Sequence, residues 1–164
     1  MIIEAGTLTD LEENLASEFI TLFAERTFKN NLGHDVELKS FVHSLPTKVG
    51  GDESLTDADY PEPYIVSEIM GGKQTSENDP HVVNVAVNIC VCDDNTAKRG
   101  HQDILSIIHR IIERFNKNPV LAGRFVLRFP IQWELIDEDN YPYYFGGLLM
   151  NFEVAAIEKE DELA

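Results

Sequence analysis

Five histidines, two adjacent aspartates and two cysteines are the side chains of this 164-residue chain best suited to chemistry. Asp93 and Asp94 follow a run that alternates like a strand. A strand end is where a carboxylate can serve as general acid or base. The same dipeptide is also ordinary turn chemistry. His34, His43, His81, His101 and His109 form neither HExxH nor HxH spacing. His101 and His109 stand two helical turns apart, too far to share a metal directly. Cys90 and Cys92 point the same way from one strand, where so short a loop closes a disulfide poorly. As half of a metal site they lack further cysteines to complete it. There is no GxSxG elbow. Gly71-Gly72 and Gly146-Gly147 match neither a phosphate loop nor a dinucleotide fingerprint. The residues predict no catalytic group, no metal and no cofactor.

The elements that would position these side chains are readable from periodicity. Thr9-Asp10-Leu11-Glu12 has capping-box form, and Leu11, Leu15, Phe19, Leu22 and Phe23 recur behind it at helical spacing. This predicts a helix over 10–26. Alternation predicts strands over 36–45, 64–70 and 82–92, the last two suited to a hairpin. Ile104, Ile107, Ile108, Ile111, Ile112 and Phe115 line one face of a second helix, which Asn118-Pro119 stops. Asp103 in its first turn and Arg114 and Lys117 in its last suit the helix dipole. Further strands follow over 125–135 and 144–154. Pro130 removes a ladder donor, so the first of these is either at an edge or bulged there. Mixed rather than alternating elements predict an α+β fold: a mainly antiparallel β-sheet with two amphipathic helices packed on one face. One domain is expected over 1–157, with a long acidic loop over 46–63 and an acidic, frayed tail over 158–164.

Composition is that of a soluble globular protein, 43% hydrophobic and 26% charged. No apolar run reaches the roughly 20 residues of a membrane span. The N-terminus lacks the basic and apolar regions of a secretory signal, so residence in the cytoplasm is expected. The net charge of −16 argues against phosphate neutralisation on nucleic acid. It is uneven. Lys98, Arg99, Arg110, Arg114, Lys117, Arg124 and Arg128 leave 98–128 at +5, whereas 134–162 stands at −8. In Tyr141-Pro142-Tyr143-Tyr144-Phe145 the aromatics crowd a turn. They cannot all enter one core, so some face outward, as at an interface, or fold over the sheet edge.

Across residues 82–157 a series of short motifs falls in a definite order. Cys92-Asp93-Asp94 ends a strand. Gly100-His101-Gln102-Asp103 opens a helix that runs to Ile111-Ile112-Glu113-Arg114. Arg124-Phe125-Val126-Leu127, Pro130-Ile131-Gln132-Trp133-Glu134, Tyr141-Pro142-Tyr143-Tyr144-Phe145-Gly146 and Phe152-Glu153-Val154 complete it. The order resembles the tail terminator (tail completion, head-tail joining) proteins of tailed bacteriophages and prophages of Gram-positive hosts. The resemblance implies an α+β subunit that forms a ring, commonly a hexamer, on the finished tail tube. It implies a non-enzymatic structural protein without cofactor. The implied partners are copies of itself, the tail-tube protein and the head connector. DNA would pass the lumen without specific binding, and no membrane is involved. The implied location is the host cytoplasm during assembly, then the virion tail.

A ring needs two different surfaces on each subunit. The charge asymmetry offers a pair. Arg110, Arg114 and Lys117 share a helix face at i, i+4 and i+7. They are expected to project toward Glu134, Asp137, Glu138 and Asp139 of the adjacent subunit, with Tyr143 adding apolar contact. The alternative function is an acidic DNA mimic or inhibitor that covers a basic protein surface.

Overall fold

The computed structural model describes residues 7–46, 61–97, 99–136 and 138–154. Most of the predicted loop over 46–63, the tail over 158–164 and Asp137 lie outside the described residues.

The first helix, α1, spans Leu8–Leu22. Its capping box is Thr7 with Asp10, two residues earlier than the expected Thr9 with Glu12. The Thr7 hydroxyl accepts from the Asp10 N–H at 3.1 Å, and the Asp10 carboxylate accepts from the Thr7 N–H at 3.2 Å. Thr7-Leu8-Thr9-Asp10 offers the same Thr-to-acid spacing one half-turn upstream. The shift frees Glu12 to reach the sheet. Leu11, Leu15 and Phe19 fill the inner face.

The predicted strand over 36–45 is two strands. β1 (Thr27–Lys29) and β2 (Asp35–Glu37) form a small antiparallel pair. The buried Leu38 separates them from β3 (Lys39–Val42). β3 then pairs in parallel with β4 (Tyr64–Lys73). β4 pairs antiparallel with β5 (His81–Cys92), with a register shift between Ile69 and Gly71. The second helix, α2, is Gly100–Lys117. β6 (Val120–Leu121), β7 (Phe125–Leu135) and β8 (Tyr143–Val154) complete a six-stranded sheet of order β3-β4-β5-β8-β7-β6. Only the β3–β4 pairing among these is parallel. This is the α+β fold that the pattern predicts.

Both helices cover one face of the sheet. α1 packs on β3 and β4, and α2 on β5, β7 and β8. Val83, Val85, Val87, Ile89 and Val91 alternate along β5 into that core, where they meet Ile104, Ile107, Ile108, Ile111 and Phe115. The Phe115 and Phe152 rings meet edge to face at 5.6 Å. Close approach of α2 to β8 depends on two glycines. A Cβ at Gly146 would lie 2.4 Å from Ile104 Cγ2, and one at Gly100 would strike the Tyr144 ring. Pro130 sits where β7 departs from register with β8, between Arg128 and Gln132. Among the described strands, β6 covers only the first two residues of β7, so Pro130 occupies both an edge and a bulge.

Candidate self-assembly surface

The groups suited to chemistry are placed apart. Among the described residues, no three His, Cys, Asp or Glu side chains gather closely enough to hold a metal. The Asp93 carboxylate accepts from the Asn95 N–H at 2.9 Å, as turn chemistry does, and its own N–H donates to the Pro142 carbonyl. Cys90 and Cys92 are buried and unbridged. Burial, with Glu62 nearby, pushes their thiols up to about 12 and about 11, so neither is a nucleophile near neutral pH. His43 is engaged instead in structure. It has a positive φ of 69° at the end of β3, and its Nδ1 lies 3.0 Å from a Glu12 oxygen. The same oxygen accepts from the Ile69 N–H at 3.0 Å, where β4 bulges. One carboxylate thus ties α1, β3 and β4 together. No periodicity in the sequence could reveal this joint.

The bases of 110–128 each face an acid of the same chain. Arg114 does not project toward solvent. Its guanidinium meets the Glu18 carboxylate on α1, donates to the Val120 carbonyl at 3.2 Å, and is only 18% exposed. Lys117 Nζ stands 2.8 Å from Glu113, which also faces Arg110 at 3.8 Å. These contacts, Lys117 first, hold the Glu113 carboxyl below its usual range. Arg124 pairs with Asp10 at 3.5 Å and Arg128 with Glu153 at 2.8 Å. The i, i+4, i+7 spacing is real, but one base of the three is an inter-helix tie and the other two share one acid. Helical periodicity alone cannot separate a seam between helices from an open face.

The acidic set also divides. Glu134 and Glu138 are exposed and line a groove. The Asp139 carboxylate lies 3.4 Å from the Tyr141 N–H, in the turn. Tyr143 accepts from Asn31 Nδ2 at 2.7 Å and is half-buried inside its own subunit.

The groove has a volume of about 940 Å³ and lies mainly on the sheet face turned away from the helices. Glu134, Gly147 and Asn88 form one row there across β7, β8 and β5. The Ile136 N–H donates to the Phe145 carbonyl at 3.0 Å and extends the wall. Tyr64, Ile136, Phe145 and Leu149 supply apolar surface, and Gln132, Glu134, Glu138 and Asn140 supply polar surface. Among the described residues, no lysine or arginine lines it. Of its apolar lining, Leu149 is 51% exposed on the outer face, and Trp133 is 52% exposed on the helix side with its ladder partner Leu148.

Among the described residues, no helix is long and apolar enough to cross a membrane. No protein-family model matches the chain, and the search of curated proteins found no match.

Proposed function

We propose that this chain is a structural virion protein of a tailed phage or prophage. It forms a ring that caps the tail tube, ends tail growth and helps join the tail to the head connector. The order of motifs over 82–157 supports this reading. Among structural features, the groove with its exposed Ile136 and Leu149 carries it furthest, because it gives the subunit a patch suited to self-association. The role is assembly, not catalysis. The acidic surface suits passage of DNA without binding.

The test combines size with activity on tails. Sedimentation and electron microscopy should show a closed ring rather than a monomer. Tail tubes assembled without the chain should overgrow, and adding it should cap them at one end. A chain that remains monomeric and leaves tube length unchanged would refute the reading. Because the bases of 110–128 are satisfied internally, the remaining surface is strongly acidic, which favours a DNA mimic as second reading. Tight binding of the monomer to a basic DNA-binding protein, in competition with DNA, would select that alternative.

A further inference from the structure

We infer that the open edge of β7, over 131–135, takes up an extended segment of another protein as an added strand, one in which apolar residues alternate with lysines or arginines. The inference concerns the sheet alone and does not depend on ring formation.

β6 pairs only with Phe125 and Val126, and the Leu127 N–H donates to the Pro119 carbonyl at 2.8 Å. Pro130 and the register shift between Arg128 and Gln132 blunt the next stretch of the edge. Beyond them, among the described residues, no backbone group pairs with 131–135 on the side away from β8. The ladder fixes which groups are left open. Pairs in an antiparallel ladder alternate between bonded and non-bonded. The Ile136 N–H donates to the Phe145 carbonyl at 3.0 Å, so Glu134 with Gly147 and Gln132 with Leu149 are bonded pairs too. In agreement, the Glu134 carbonyl oxygen stands on the β8 side, 3.2 Å from where a Cβ on Gly146 would lie. Trp133 and Leu135 therefore turn both N–H and C=O outward, as a template for a further strand.

The two faces of the edge specify the segment. Ile131 and Leu135 pack against the core on the helix side, where Trp133 is 52% exposed. Gln132 and Glu134 alternate with them on the other face, both exposed. Glu134 has no ion pair within the chain, and neither has Glu138, which lines the same groove. Alternate side chains of an added strand would thus cover Trp133 and meet Glu134. Apolar residues suit the first set and cations the second. Another copy of this chain suits the edge poorly. Two β7 edges side by side would bring acid to acid, in subunits that each carry −16. The opposite edge strand, β3, is a poorer template. It has four residues, begins at Lys39 and ends where His43 takes a positive φ. A strand added to β7 lengthens the sheet past the rim of the groove and leaves Leu149 inside it uncovered.

The experiment uses the full chain and a short blocked peptide of alternating valine and lysine. Two control peptides carry the same residues in blocks, or valine alternating with glutamate. In the free chain the Trp133 and Leu135 amides should exchange hydrogen fast, and those of Gln132 and Glu134 slowly. The valine–lysine peptide should slow the first pair. It should also shift the emission of Trp133, the only tryptophan, to the blue. Binding should weaken as salt is raised, because opposite charges are screened. Glu134→Lys should weaken it on the order of tenfold and transfer the preference to the valine–glutamate peptide. Circular dichroism should be unchanged, because Glu134 is exposed. Binding that leaves the Trp133 and Leu135 amides fast would place the peptide elsewhere and overturn the inference. So would equal binding of the block peptide, or no binding at all. Amides already slow in the dilute free chain would mean that the edge is closed, and amides slowed by protein concentration alone would mean that a second copy covers it. Either result would also overturn the inference.

Discussion

At the scale of single residues, His43 makes the clearest prediction. Its hydrogen bond to Glu12, and then the Glu12 charge, raise its pKa above the ordinary histidine value, and Glu68 adds to the effect. A raised folded pKa means that protonation favours the folded chain. That stability is complete below the unfolded value of about 6.5 and is lost as pH rises through the folded value. His43→Gln should therefore cost most in mildly acidic solution, and the gap should close toward alkaline pH. Urea midpoints for both proteins across this range would show it. A gap independent of pH would mean that the ring acts only by packing. Asp10 and Glu113 have lowered values and act in the opposite sense, losing their contribution as pH falls through the acid range. Both are present in each protein, so the difference isolates His43.

At the scale of elements, Arg114 belongs to the seam between α1 and α2. Its partly buried bonds to Glu18 and to the Val120 carbonyl imply that Arg114→Ala costs about 1–3 kcal/mol. Arg110→Ala, with only a long contact to Glu113, should stay within about 0.5 kcal/mol. Chemical denaturation of both variants tests this division, and equal costs would contradict it. The helix faces and the alternation of β5, β7 and β8 were legible because burial imposes periods of 3.6 and 2 on the apolar residues. The break at Leu38 was not legible, since one apolar residue between two short strands reads as continued alternation. Nor was the direction of β3. Whether a strand joins a sheet parallel or antiparallel depends on partners distant in sequence. Among the candidate site residues, Glu134 and Glu138 were found by charge alone. The groove beside them needed the pairing of β7 with β8 to become visible.

At the scale of the whole molecule, a net charge of −16 opposes any assembly of identical copies. A single exposed ion pair contributes only about 0–1 kcal/mol, so ion pairs cannot offset repulsion that reaches roughly 30 Å at 0.01 M salt. Raising the salt to about 0.15 M shortens that reach to about 8 Å. Association should therefore strengthen over this interval, and sedimentation at matched protein concentration would reveal it. Weakening instead would mean that ion pairs, rather than apolar contact, dominate the interface. The order of the sheet has a further consequence, for the birth of the protein. β5 sits at its centre, yet one of its two neighbours, β8, is reached in the chain only after α2 and β7. A nascent chain would therefore hold the valine row of β5 without its full setting until synthesis has passed Val154. Native structure then arrives late and nearly at once, as expected where long-range strand pairing dominates. During translation, this apolar strand is exposed to aggregation until β8 arrives.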